Sequence, residues 1–241
     1  MDMLPLVQAR RDSKSENHKT PAMPTIFSIF LILHIIGGAV GLLTGFINIL
    51  GKKGDKKHVF IGKLFVAAML TAGFSALVLS VLHPNYFLFV VGIFTLYLIG
   101  TGNRYIYLKM LDNGQMPQLI DWIITFTMLL AGLLFVSLGI FHLTKSNLFG
   151  LVFATFGLFG LLFVRQDFAN YRGKSDMKNY WLLAHLQRMT GGFIAALTAF
   201  LVVNAQYFPE QIPGFIFWLL PTVFLTPLIV RWSRKLEVKR K

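Results

Sequence analysis

Apolar residues in this chain gather into seven runs separated by short polar breaks, at 25–50, 58–83, 87–110, 119–143, 147–164, 180–204 and 212–230. A helix of roughly 17–25 residues crosses a hydrocarbon core, and every run is at least that long. None alternates with period two, and a membrane barrel would need more and shorter segments, so the runs predict helices. The first run is too long for a signal-peptide core of roughly 7–15 residues and ends in no small-residue cleavage pattern, so it is expected to remain as a helix. Pro221 and Pro227 fall inside the seventh run and are expected to kink it, with neighbouring groups satisfying the freed carbonyls. The breaks leave no room for a soluble domain. The expected fold is an all-α integral membrane protein: a seven-transmembrane-helix bundle over 25–232, preceded by a mobile polar tail (1–24) and followed by a basic cytoplasmic tail (233–241).

Composition agrees. Hydrophobic residues make up 55% of the chain and charged residues 14%, against roughly 25% charged in a soluble domain. The net charge of +13 would in another setting suggest nucleic acid. Here the basic residues sit between the apolar runs, which is an orientation signal, and no nucleic-acid partner is expected. Lys52, Lys53, Lys56 and Lys57 follow the first run, and Arg104 and Lys109 close the third. Arg165, Arg172, Lys174 and Lys178 follow the fifth, and Arg231, Arg234, Lys235, Lys239, Arg240 and Lys241 follow the seventh. The loops on the opposite side hold only Lys145. By the positive-inside rule the richer side, with the C-terminus, is cytoplasmic. Arg10, Arg11, Lys14 and Lys19 in the N-terminal tail oppose this but are outvoted by three loop regions and the C-terminal tail. The expected partners are the lipid bilayer with its anionic head groups, and other membrane proteins or further copies of the chain. With no cysteine, disulfides, thiolate metal sites and a cysteine nucleophile are excluded.

Candidate chemistry rests on histidines and a one-sided polar cluster. At 100° per residue, His34 shares a helix face with Gly37, Gly38, Gly41, Gly45 and Asn48. His185 shares one with Arg188, Met189, Gly192, Ala196 and Ala199, and His58 one with Gly62, Phe65, Met69, Ala72, Ala76 and Ser80. Small residues at this spacing let a neighbouring backbone or a flat ligand approach, and helix packing is their ordinary use. His83 and His142 fall at helix ends, where an interfacial histidine needs no function, whereas intramembrane ionisable residues such as His34 and His185 are site candidates. The cytoplasmic halves of the helices hold Lys63, Arg104, Arg165 and Arg188 against only Asp121 and Asp167. Long basic side chains can snorkel to lipid phosphates. Otherwise a bound anion (haem propionates, a phosphate or an anionic lipid head) would balance them, with Arg188 directed inward on the small-residue face.

The stretch of His34, Gly45, the basic loop Lys52–Lys57, His58, Gly62 and Lys63 resembles the domain-of-unknown-function family numbered 2306, a group of predicted bacterial multi-pass membrane proteins. His185, Arg188, Gly192 and Asn204 resemble its C-terminal half. The resemblance implies a multi-pass protein of the bacterial inner membrane and assigns no reaction. A looser likeness is to cytochrome b561-type proteins, which hold haem between histidines of neighbouring helices. Those carry two ligands on one helix about four turns apart. His58 and His83 stand about 37 Å apart along a helix, too far for that arrangement. The likeness leaves one haem b between His58 and His185 as metal ligands, with Arg104, Arg165 or Arg188 on its propionates.

Three readings stay open, and the sequence has no catalytic signature to decide whether the protein is an enzyme. The first is a haem- or quinone-associated redox protein using His58 and His185. The second is a small anion or proton-coupled transporter with His34 and His185 on its path. The third is a structural or assembly subunit of a membrane complex.

Overall fold

The structure, a computed structural model, describes residues 25–238. The tail over 1–24, with His18, and the basic residues Lys239, Arg240 and Lys241 lie outside the described residues. The expected runs become helices α1 (Thr25–Leu50), α2 (Lys56–Leu82), α3 (Tyr86–Tyr105), α4 (Leu119–Thr144), α5 (Gly150–Tyr171), α6 (Tyr180–Val203) and α7 (Gly214–Leu236). All seven are long and apolar enough to cross a membrane, and no strand occurs among the described residues. Pro221 and Pro227 both lie within α7.

Three helix C-termini differ from the runs by five residues or more, each for a local reason. Helix α3 stops at Tyr105 instead of continuing to 110, because the chain turns into a 3-10 turn at Leu111–Asn113 and reverses at Gly114, with φ of 87°. The buried Tyr180 hydroxyl holds this loop: it accepts from the Leu111 amide at 2.8 Å and donates to the Leu108 carbonyl at 2.8 Å. Helix α5 continues past 164 to Tyr171 because Asp167, Asn170 and Tyr171 turn inward and are buried. Hydropathy reads those positions as loop, yet the bundle supplies their polar partners. Helix α7 runs to Leu236, past the expected bundle end at 232, and buries Ser233. Beyond it the chain is tied to the α5–α6 connection, by the Lys178 amide on the Val238 carbonyl at 2.8 Å and by the Asn179 side-chain amide on the Leu236 carbonyl.

Helix α3 is the most buried and packs against α2, α4, α5 and α6. Helix α1 lies on α2 and reaches α6, α7 lies on α6, and α4 with α5 forms an antiparallel pair. Small residues mediate these contacts. A Cβ on Gly37 would stand 2.9 Å from the Ala68 carbonyl oxygen of α2. Between α4 and α5, Gly132 faces Gly157 and Gly139 faces Gly150, close enough for backbone to meet backbone.

The basic connections gather at one end of the bundle. The Lys53 ammonium donates to the last carbonyls of α1, on Asn48 and Ile49 at 2.8 and 2.6 Å, which is the favourable place for a cation at a helix C-terminus. It also stands 4.5 Å from the Trp232 ring of α7, and Lys109 stands 4.6 Å from the Trp181 ring of α6.

Candidate functional site

The polar interior begins with spacing. Tyr97, Thr101 and Tyr105 recur every four residues on α3 and so line one face. Asp167 shares a face of α5 with Asn170 and Tyr171, three and four residues on, Thr125 faces them from α4, and Arg188 enters from α6. Asp167 and Arg188 are both fully buried and form a two-pronged ion pair, with Nη2 to Oδ1 at 2.7 Å and Nη1 to Oδ2 at 3.1 Å. The tyrosine hydroxyls complete the carboxylate: Tyr97 donates to Oδ2 and Tyr105 to Oδ1, each at 2.6 Å, with Thr125 at 3.3 Å. Asn170 donates to the Tyr105 hydroxyl at 3.0 Å. On the cationic side, the Arg188 guanidinium donates to Thr101 Oγ1 at 2.9 Å and to the Phe163 carbonyl at 3.2 Å. Its central carbon lies 4.9 Å from the Tyr105 ring centroid and 5.4 Å from that of Tyr97, within cation–π range. Only its Nε is left without a partner.

This corrects the expectation that Arg188 grips a bound anion. Its carboxylate is supplied by Asp167 of the same chain, and aromatic rings close around the pair. Arg104 is engaged in the same way, with Nε to Asp121 Oδ1 at 2.7 Å and Nη2 to Oδ2 at 3.0 Å, and Gln118 Oε1 at 2.9 Å. Asp121 also accepts from the Gln118 amide at 2.8 Å, so one carboxylate caps α4 and ties it to α3. The two acidic residues of the sequence cluster therefore neutralise these two arginines. Arg165 is exposed on the outer face of α5 and Lys63 is exposed on α2, so neither joins the interior cluster.

The histidines divide into three kinds. His34 Nδ1 lies 2.9 Å from the Ala72 carbonyl of α2 and His185 Nδ1 lies 2.8 Å from the Gly102 carbonyl of α3, so each pins its helix to a neighbour. With Nδ1 donating, the other ring nitrogen is the acceptor, the tautomer that carbonyl-anchored histidines adopt. His83 packs edge-on against Phe27 and His142 stacks on Phe153, structural placements at the helix ends. His58 is different: its Nδ1 is buried with no partner. His58 lies in the first turn of α2 and His185 in the second turn of α6, at the same end of the bundle, and His34 is bound to α2 elsewhere. His58 also lines a cavity of about 330 Å³ at the α1–α2 connection, with Phe46, Asn48, Leu50, Lys52 and Lys57.

The residues present do not fit a haem between His58 and His185. The small-residue faces that would admit a flat macrocycle are filled by protein. A Cβ on Gly45 would stand 2.4 Å from the Phe193 ring, one on Gly192 2.6 Å from Ile99, and one on Gly102 3.0 Å from Arg188 Cβ and 3.2 Å from Met189 Cε. Phe65, Met69, Ile99 and Phe193 form a buried apolar cluster between α2, α3 and α6, and the arginines proposed for propionates are held by Asp121 and Asp167 or lie outside. No group of three or more histidine or acidic side chains is placed to hold a metal ion among the described residues.

The residues that the sequence reading passes over are the hydroxyls: Tyr97, Thr101, Tyr105, Thr125 and Tyr171. Their signal is the four-residue recurrence of Tyr97, Thr101 and Tyr105 along an otherwise apolar helix. No protein-family model, no curated protein and no solved structure matches the chain.

Proposed function

We propose that the protein is a quinone-associated membrane protein of the bacterial inner membrane, with its C-terminus in the cytoplasm and the head-group site at His58 and His185. The observation that supports this is the buried, unpartnered Nδ1 of His58, at the same end of the bundle as His185. A buried polar atom without a hydrogen bond costs about 1–3 kcal/mol, and such an atom calls for a partner. A quinone carbonyl oxygen is a neutral acceptor suited to an imidazole N–H. It needs no arginine, which matters because Arg104 and Arg188 are already paired. The cavity beside His58 is polar at Asn48, Lys52 and Lys57 and apolar at Phe46 and Leu50, and its size falls within the roughly 300–1,000 Å³ of small-molecule sites. An isoprenoid tail would leave it through the bilayer. A bound quinone supplies two-electron, two-proton redox chemistry, while the His58 N–H holds and orients its carbonyl and the acceptor nitrogen of His185 suits the hydroxyl of the reduced quinol.

A short-chain ubiquinone analogue titrated into the purified protein is expected to bind, and His58→Leu is expected to weaken it about tenfold, the loss of one buried hydrogen bond of about 1.4 kcal/mol. His58→Gln, which keeps an N–H donor, should recover part of that loss. Equal affinity in all three proteins would sink the quinone reading and leave the assembly subunit. A Soret absorption band abolished by His58→Ala would replace it with haem.

The orientation rests on the charge imbalance, 16 basic residues against Lys145 alone in the loops and C-terminal tail. A fluorescent reporter that matures only in the cytoplasm, fused after Lys241, is expected to be bright. A phosphatase active only outside the cytoplasm is expected to be silent at the same point, and its activity there would invert the topology.

A further inference from the structure

The outer face of α4 and α5 carries a second feature that the quinone reading does not use. A groove of about 410 Å³ opens there, lined by Leu129 of α4, by Leu161 and Phe168 of α5, and by the cations Arg165, Arg172 and Lys174. On α5, Leu161, Arg165, Phe168 and Arg172 follow one another at three- and four-residue steps, so the apolar floor and the cations share one stripe. All three cations are exposed, and none is within an ion pair of a carboxylate among the described residues. Among the described residues, no acidic residue lines the groove. The cations lie at the basic end of the bundle, where a lipid head group would sit, and the floor runs from them along the membrane-spanning part of the helices.

We propose that this groove is a binding site for an anionic phospholipid of the leaflet at the basic end. The phosphate lies among Arg165, Arg172 and Lys174, and an acyl chain lies along Leu161, Phe168 and Leu129. Three cations with no carboxylate partner among the described residues, beside an apolar channel, match that amphiphile in charge and shape. Arginine suits the phosphate because its planar fork donates two parallel hydrogen bonds. Arg165 stands about one and a half turns below the end of α5, so its long side chain reaches the head group by snorkelling while its stem covers apolar surface. Each basic residue near an anionic leaflet favours binding by roughly fivefold, so three of them give a clear preference over a zwitterionic lipid.

Trp122 makes the test local, since its ring lies 6.1 Å from that of Phe168. In a variant with Trp181, Trp218 and Trp232 changed to Phe, the protein is placed in phosphatidylcholine bilayers containing phosphatidylglycerol with brominated acyl chains. Brominated phosphatidylglycerol is expected to quench Trp122 at about one-hundredth the mole fraction that brominated phosphatidylcholine requires. The preference should disappear in Arg165→Gln/Arg172→Gln/Lys174→Gln and persist in Lys109→Gln/Lys178→Gln, which removes two other cations from the same end. All five positions are surface positions, and each single glutamine variant is expected to give a graded loss of about fivefold. An unchanged preference in the triple variant, an equal loss in the control pair, or relief of quenching by inorganic phosphate at constant ionic strength would each overturn the lipid site.

Discussion

Replacing Asp167 with alanine is expected to destabilise the protein by about 3–5 kcal/mol, the cost of leaving one member of a buried ion pair without its partner. Arg188 is fully buried and has Asp167 as its counter-charge, and the same carboxylate accepts both tyrosine hydroxyls, from Tyr97 and Tyr105. Removing it strands a guanidinium and two phenols in a space with little access to water. Arg188→Met should cost less, because Asp167 keeps three hydroxyl donors and the methionine refills much of the volume. The double variant Asp167→Asn/Arg188→Met is expected to be more stable than Asp167→Ala. Both charges are gone, and the asparagine oxygen still accepts from the tyrosines. Thermal unfolding of the detergent-solubilised variants, with Asp167→Asn completing the cycle, measures this directly. Purely additive losses would mean that the two residues do not act as a pair.

That network also marks how far the sequence is legible. The seven helices follow from hydropathy and length, because lipid leaves a spanning chain no alternative but to satisfy its backbone within the helix. The buried face of α2, with Phe65, Met69, Ala72, Ala76 and Ser80, follows from helical periodicity. Lys63, Arg104, Arg165 and Arg188, against Asp121 and Asp167, stand out in sequence as the charges of the cytoplasmic helix halves. Counting them alone leaves two cations in surplus and invites a bound anion. Pairing resolves it differently: Arg104 and Arg188 take the two carboxylates, while Lys63 and Arg165 turn outward. Which arginine meets which aspartate depends on how α3, α4, α5 and α6 cross, and no periodicity within one helix encodes that. The same limit affects the glycines. Sequence spacing on α1 and α6 admits either a flat ligand or a neighbouring helix, and only the placement of Phe193, Ile99 and Met189 decides in favour of packing. His58 stands out in sequence as a candidate ligand on a small-residue face, but that one of its ring nitrogens is left without a partner comes from three-dimensional packing alone.

Bulk added at the α4–α5 seam is expected to be the second most damaging change, and the direction of each glycine's response follows from what its new Cβ would meet. At Gly150 a Cβ would stand 2.6 Å from the Gly139 carbonyl oxygen and 3.0 Å from the Leu143 amide nitrogen. At Gly139 it would stand 2.8 Å from the Ala154 amide nitrogen, and at Gly157 2.9 Å from that of Val136. These obstacles include backbone, which cannot rotate away, so the helices must separate. Gly132 meets the Leu161 side chain at 2.9 Å, and that flexible chain can give. Gly38 has nothing within 4 Å. Close approach of two helix backbones is what small residues provide in a membrane, where packing rather than water drives association. Alanine at 139, 150 or 157 is therefore expected to lower stability by about 1–3 kcal/mol, the usual cost of overpacking, and leucine at these positions by more. Alanine at 132 should be nearly neutral, and alanine at 38 neutral or slightly stabilising, since it gains up to about 1 kcal/mol of helix preference over glycine. Unfolding temperatures of the five alanine variants in one detergent test the ranking. If Gly150→Ala proves as stable as Gly38→Ala, α4 and α5 do not meet through their backbones at this seam.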